Sequence, residues 1–335
     1  MPELITDQLQ RPLKDLRISL TDRCQFRCRY CLPAEHVDVM RQQSQLEHQL
    51  SYAEIEQVVA ASAKLGVEKI RLTGGEPLLR KNVDQLIAKI KRIEGIKEVA
   101  LTTNAGLLDP VLDDLVAAGL DRITISLDAL DQQLFEQITD TRYQVEDILN
   151  SIDRCAASAL KSVKLNCVIQ KGVNESQVIP LLERFRGTGV VVRFIEFMDV
   201  GTLNSWHRDQ VFDSQLALNM IQQHWPFTPL QASQKGEVAN RFKFVDGGGE
   251  FGMISSISQP FCHDCNRARL STQGQIFTCL FSHKGHNIKP TLHDSQALLS
   301  QLKSIWQQRT DQYSALRHQQ KTSTLPKVEM FVIGG

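Results

Sequence analysis

The sequence predicts an α/β fold: an incomplete (βα)6 TIM-like barrel followed by a smaller C-terminal α+β module that closes the barrel mouth. Three observations carry this. From Leu16 to about Met198 short β-branched runs alternate with amphipathic helical runs, as in βα units on a parallel sheet. Past Met198 the alternation fades. The residues that follow each β-branched run carry cysteines, glycine turns or polar side chains, and the C-terminal ends of the strands are where a parallel barrel places its reactive groups.

Six strands are expected, at Leu16 to Leu20, Val67 to Leu72, Glu98 to Thr103, Arg122 to Leu127, Val163 to Ile169 and Val190 to Phe197. Between the first two, Ser51 and Glu54 form a capping-box pattern, and Ile55, Val58, Val59 and Leu65 share one helical face before Gly66. Asp109-Pro110 opens a further helix that Gly119 closes, and Asn174 is placed to cap one running to about Arg186. Later the chain shows a helical run from about Phe212 to Trp225, a hairpin from Glu237 to Ile257 through Gly247-Gly248-Gly249, and a helix from Ser295 to about Gln308. This divides the chain into residues 1–200, the barrel, and 201–335, the C-terminal module.

Composition narrows the function classes. The 335 residues are 42% hydrophobic, enough for a full core. Lys+Arg and Asp+Glu both number 38, so no long-range field draws in nucleic acid or anionic membrane, and an anion site has to be a local basic cluster. No apolar run approaches the roughly 20 residues of a membrane span, and Asp7, Arg11, Lys14 and Asp15 interrupt any signal-peptide core, so a cytoplasmic protein is expected.

In a reducing compartment the eight cysteines are metal ligands or buried thiols rather than disulfides. Cys155 and Cys167, in a helical and a β run, read as small buried hydrophobes. Cys24, Cys28 and Cys31 crowd together directly after the first strand. Thiolates suit iron-sulfur clusters and zinc; zinc normally wants four ligands, for which His36 is the nearest candidate, whereas a 4Fe-4S cluster on three cysteines leaves one iron open to a small molecule. Gly74-Gly75-Glu76-Pro77 after the second strand allows positive φ and close backbone approach, suited to a ligand beside the cluster. Cys262, Cys265 and Cys279 make a second triplet, for which zinc with His283 is the alternative and His263 and His286 are further candidates. Arg267 and Arg269 alternate after Cys265, so they point the same way and suit an anion, above all a phosphate.

Cys24-x3-Cys28-x2-Cys31 with Tyr30 before the last cysteine, together with the Gly-Gly-Glu-Pro turn, resembles the radical S-adenosylmethionine enzymes. That resemblance implies a partial six-unit βα barrel and a cluster whose open iron binds S-adenosylmethionine, which is cleaved to methionine and a 5'-deoxyadenosyl radical. Leu16-Arg17-Ile18-Ser19, Thr21-Asp22-Arg23-Cys24, Arg71-Leu72-Thr73, Arg193-Phe194-Ile195-Glu196-Phe197-Met198, Cys262-x2-Cys265-Asn266-Arg267-x-Arg269-Leu270 and the terminal Gly334-Gly335 are similar to the GTP 3',8-cyclases of molybdenum cofactor biosynthesis. Gln25, Leu32 and Gln273 depart from that family's usual residues at positions that ligate nothing.

The resemblance implies two 4Fe-4S clusters, on Cys24, Cys28 and Cys31 and on Cys262, Cys265 and Cys279. It implies an S-adenosylmethionine site at Tyr30, Gly75, Ser126 and Met198, and a GTP site at Arg17, Arg71, Thr102, Lys164, Arg267, Ala268 and Arg269. Arg17, Arg267 and Arg269 are also implied in catalysis, with the Gly-Gly tail meeting Arg17. The implied partners are GTP, cyclic pyranopterin monophosphate synthase downstream and a reductant such as flavodoxin or ferredoxin, with a homodimer left open. A radical S-adenosylmethionine peptide maturase and a zinc-ribbon binding module are the rival readings.

Overall fold

The computed structural model describes residues 4–36, 49–232, 235–317 and 327–334. The six expected strands are present as β1 (Asp15–Ser19), β2 (Lys69–Thr73), β3 (Glu98–Thr103), β4 (Arg122–Ser126), β5 (Ser162–Ile169) and β6 (Val191–Glu196). They pair in parallel in sequence order. The hairpin at Gly247-Gly248-Gly249 joins β8 (Asn240–Phe244) to β9 (Glu250–Ile254), and β7 (Phe227–Leu230) lies beyond β8.

The sequence pattern did not reveal how the C-terminal strands join this array. β9 pairs in parallel with β6, and β10 (Arg267–Leu270) pairs in parallel with β1, so eight parallel strands run β10-β1-β2-β3-β4-β5-β6-β9. β11 (Gln275–Phe277) and β12 (His286–Asn287) continue beyond β10. Among the described residues no ladder joins β9 to β10, so the curled sheet keeps an open seam.

Alternation along each strand sorts the two faces. Leu16, Ile18, Ile70, Leu72, Val99, Leu101, Ile123, Ile125, Leu165, Cys167, Val192 and Phe194 point outward into a continuous apolar shell with the helices. Tyr52–Lys64 is one of these helices; Ser51 accepts from the Glu54 amide and the Glu54 carboxylate accepts from the Ser51 amide, the reciprocal cap expected from the sequence. Val178–Phe185 is another, but Asn174 does not cap it. Its amide instead donates to the carbonyls of Asp128 and Val168 at 3.0 and 2.9 Å, tying two loops at the barrel mouth. Cys155 and Cys167 are fully buried.

The Gly-Gly turn has a structural role of its own. Gly74 (φ +140°) and Gly75 lie flat against the backbone that leads into the first cysteine triplet: the Gly75 amide donates to the Thr21 carbonyl at 2.6 Å and the Glu76 amide to that of Arg23 at 2.7 Å. A Cβ on Gly74 would sit 2.2 Å from the Thr21 carbonyl oxygen, and one on Gly75 the same distance from that of Arg23. The glycines are needed for strand-loop contact before any ligand is considered, and the Gly75 amide is already engaged. Gly74→Ala is expected to push the 21–23 segment away and cost about 2 kcal/mol or more, read as a lower urea midpoint.

Candidate active site

The inward face of the strands is polar and cationic. Arg269, Arg17 and Arg71 stand abreast on β10, β1 and β2, because Arg17 is in register with both of the others. The next row holds Arg267, Asp15 and Lys69. From farther round come Arg122, Lys164, Asn166 and Arg193. Arg17, Arg71, Arg193, Arg267 and Arg269 are strongly desolvated, and the Nε of Arg17, Arg71, Arg193 and Arg267 has no hydrogen-bond partner, like the Thr102 hydroxyl and the Asn166 carbonyl oxygen.

This environment weakens the bases' hold on their protons. Burial, then Arg269 and Arg71, push Arg17 well below the usual guanidinium range, and burial with Arg71 and Arg122 does the same to Arg193. Burial brings Lys164 down to about 7, assisted by Arg193, Arg122 and Arg71 and opposed by Glu237. Buried cations without partners are costly. An entering polyanion would relieve desolvation and repulsion together, so these side chains fit a phosphate-rich molecule.

Two cavities share Arg17, Arg71, Arg193 and Arg267 in their walls and so lie on either side of these side chains within the barrel. The lower, about 710 Å³, lies at the N-terminal ends of the strands and includes Lys69, Arg122 and Lys164. The upper, about 150 Å³, is lined by Cys262, Cys265, Cys279, Thr102, Met198 and Met330. The second triplet thus faces the same space as the arginines. Ala268 does not: its methyl group packs into the apolar core on the opposite face of β10, leaving only backbone to offer a ligand.

The thiols of the second triplet have unequal surroundings. Burial would raise Cys265, but Arg267 and Arg309 outweigh it and bring the thiol down to about 6; Arg267 also donates to its sulfur at 3.4 Å. Burial and Asp311 push Cys279 up to about 12. The ligand backbone is held from the far ends of the chain: Arg11 donates to the Cys262 carbonyl and Arg309 to that of Cys265, at 2.8 and 2.7 Å, and both guanidiniums pair with the buried Asp7 carboxylate at 2.6 and 3.3 Å.

The first triplet sits at the exit of β1. Burial and Glu76 push Cys24 up to about 11, and burial with the neighbouring thiols raises Cys28, so thiolates there call for a cationic counterpart, as a metal cluster supplies.

Three buried carboxylates brace the mouth. Glu76 accepts from the Thr103 hydroxyl and the Asn104 amide, both at 2.8 Å, and burial lifts it to about 7. Asp128 accepts from the Tyr30 hydroxyl and the Val168 amide, both at 2.7 Å, and is lifted to about 6. Glu196 accepts from the amides of Ser214, Ile257 and Ser258 at 3.0, 2.8 and 2.9 Å, joining β6 to the segment after β9. Tyr30 therefore has its hydroxyl committed to Asp128, while Ser126 lies half-buried at the end of β4, in register with Asn166.

The chain's end enters the mouth. A short helix, Met330–Ile333, leads to Gly334, whose carbonyl accepts from Arg269. A Cβ on Gly334 would meet the Thr73 methyl at 2.3 Å, so glycine is required at that point too. The described guanidinium contact is thus to Arg269 rather than to the expected Arg17; Gly335 lies outside the described residues.

Comparison with known proteins agrees with these features. A family model described as "Radical SAM superfamily" matches residues 18–185, and one described as "Molybdenum Cofactor Synthesis C" matches residues 190–315. A GTP 3',8-cyclase of Xanthomonas campestris pv. campestris is 47% identical over 330 residues, covering 98% of this chain and 97% of the relative. The chain belongs to the GTP 3',8-cyclase family. A family member from Staphylococcus aureus is 43% identical over 344 residues, covering 100% of both chains. Among solved structures, Streptococcus suis SuiB bound to S-adenosylmethionine superposes with a TM-score of 0.62 at 15% identity, over 94% of this chain and 70% of that one, and shares the fold.

Reading the sequence missed several groups of this cyclase-family site. Arg193 was visible as an alternate polar position in its strand; Lys69, just outside the Arg71 motif, and the distant Arg11, Asp7 and Arg309 gave no local signal. Lys164 provides a test of the chamber's electrostatics. With its amine near 7, it is mostly neutral in the free protein above that pH and must take up a proton to meet a phosphate. The affinity for inorganic triphosphate is therefore expected to fall as pH rises from 7 to 9, with proton uptake seen by calorimetry in buffers of different ionisation enthalpy. Lys164→Met is expected to flatten that dependence and weaken binding about tenfold.

Proposed function

We propose that the chain converts GTP to (8S)-3',8-cyclo-7,8-dihydroguanosine 5'-triphosphate, the first step of molybdenum cofactor biosynthesis. The observation that carries the reading is the in-register row Arg269, Arg17 and Arg71 inside a barrel bearing a cysteine triplet at its mouth and another facing the same chamber. Family membership sets aside the peptide-maturase and zinc-ribbon readings.

Cys24, Cys28 and Cys31 would hold a 4Fe-4S cluster, and Cys262, Cys265 and Cys279 a second. When bound, the first cluster with S-adenosylmethionine supplies the radical that removes the ribose 3' hydrogen, and the second supplies an open iron to the guanine ring. The chain's own residues do the rest. Arg17, Arg71, Lys164, Arg267 and Arg269, joined by Arg193, hold the triphosphate; the partnerless Thr102 hydroxyl suits a polar group of the nucleotide. Ala268 contributes backbone alone. Tyr30, Gly75, Ser126 and Met198 would surround S-adenosylmethionine, with Tyr30 fixed by Asp128. Arg17, Arg267 and Arg269 would also orient the reacting nucleotide, with Arg269 receiving the tail.

The division into residues 1–200 and 201–335 is part of this reading, as are a cytoplasmic setting, delivery of electrons by a flavodoxin or ferredoxin, hand-over to cyclic pyranopterin monophosphate synthase and the option of a homodimer. The described residues include no helix long and apolar enough to cross a membrane.

Anaerobically purified protein is expected to be brown. Cys24→Ala, Cys28→Ala or Cys31→Ala is expected to abolish deoxyadenosine formation, while Cys262→Ala, Cys265→Ala or Cys279→Ala loses cyclisation and spares the first cluster's iron. Normal cyclisation by the second set would remove the second cluster. Deleting Gly334-Gly335 is expected to leave iron content and GTP affinity within about twofold and lower cyclisation by about tenfold or more; full activity would make the tail a frayed end.

A further inference from the structure

Asp199, the residue after Met198 at the exit of β6, is the convergence point of a buried clasp that the mechanism above does not use. Its carboxylate accepts from the Tyr313 hydroxyl at 2.6 Å, from Arg317 at 2.9 Å and from the Lys327 amine at 2.9 Å; its backbone carbonyl accepts from Lys327 again at 2.8 Å. The carboxylate is held below its ordinary range by these donors despite its burial. Two residues beyond Lys327, the Glu329 carboxylate accepts from the amide and hydroxyl of Thr202 at 2.8 and 2.7 Å. The tail helix Met330–Ile333 begins at the next residue.

The other side of the clasp reaches the second triplet. The Tyr313 ring stacks on Phe281 at 4.4 Å and 16°, and Phe281 is two residues past Cys279. Arg317 lies 5.5 Å from each ring, and Lys327 4.9 Å from that of Tyr313. One carboxylate therefore binds two cations, and joins three pieces of chain: the exit of β6, the loop bearing Cys279, and the segment entering the tail. Charged hydrogen bonds shielded from water are the strong kind.

We propose that Asp199 is a positioning residue for the C-terminal tail, holding Lys327 so that Gly334 is presented to Arg269 and coupling that placement, through Tyr313 and Phe281, to the loop of the second triplet. This rests on the reading that the tail takes part in cyclisation. Removing the carboxylate frees Lys327 and Arg317, so the tail loses its anchor while the arginine row and both cysteine triplets keep their own supports in Asp7, Glu76 and Asp128. The change belongs in turnover rather than in nucleotide affinity.

The test compares full-length Asp199→Asn and Lys327→Met with the wild type and with the chain lacking Gly334-Gly335, all anaerobically reconstituted. The readouts are iron content, amide hydrogen exchange over 328–333, and kcat and KM for GTP cyclisation. Both substitutions are expected to speed exchange in that segment about tenfold or more and to lower kcat about tenfold, with iron content and KM within about twofold of wild type. In the truncated background Asp199→Asn is expected to add little, since the group it places is gone. Unchanged exchange in both variants would overturn the clasp, and so would wild-type kcat alongside a crippled truncation. Loss of iron from either triplet would assign Asp199 a general structural role instead. An active truncated chain would defeat the tail reading, with the exchange data still deciding whether Asp199 anchors the segment.

Discussion

Positive charge in excess of its partners, enclosed by the barrel, is the constraint around which the rest of this protein is arranged. Neighbouring strands lie about 4.8 Å apart, so Arg269, Arg17 and Arg71 in one register row leave little room for solvent between guanidiniums. Asp15 is a carboxylate directly among them, drawn below its ordinary range by Arg71, Arg17 and Arg267 in spite of burial. Such an interior is held together from outside, by the apolar shell between strands and helices, which owes nothing to the charges. The outward alternation of Leu, Ile and Val is what frees the inward positions to be chemically demanding.

The mouth is stiffened by a different device. Glu76, Asp128 and Glu196 are each nearly inaccessible and each accept from donors on separate loops. With the glycine turn pressed on Thr21–Arg23, Glu76 and Asp128 fix the first cysteine loop relative to β3 and β5, while Glu196 fixes β6 to the exit of β9. Buried polar groups that are fully satisfied rigidify their surroundings. Rigidity at this rim contrasts with the unsatisfied nitrogens deeper in the chamber, and the contrast separates scaffold from binding surface.

Most of the barrel was legible because β-branched alternation and helix caps are local signals: the six strands fall within two residues of expectation, and the Ser51 cap forms as written. Chemistry-bearing residues were legible where they cluster, as in the two triplets and the Arg267-Arg269 pair. What escaped depends on separation in sequence. The parallel attachments of β9 and β10, and the grip of Arg11 and Arg309 on the second triplet, join segments up to about 250 residues apart, which one sequence cannot pair. Asn174 looked like a helix cap because capping residues are also the residues that bridge loops. The tail's contact with Arg269 instead of Arg17 turns on which of two adjacent strands it reaches, a matter of a single interstrand spacing. Gly74-Gly75 was recognised as a close-approach site, and one backbone that approaches it is the chain's own.

The seam between β9 and β10 sets this chamber apart from a closed barrel. Around a closed barrel every strand is stitched to its neighbours by backbone hydrogen bonds, and widening the ring means breaking a whole ladder at once. Here no ladder closes the last gap among the described residues, so widening it breaks no strand pairing. The enclosure can thus resemble a purse with one unstitched edge, its circumference adjustable around a bulky occupant while the stitched part keeps the arginine row and the cysteine rim in fixed register.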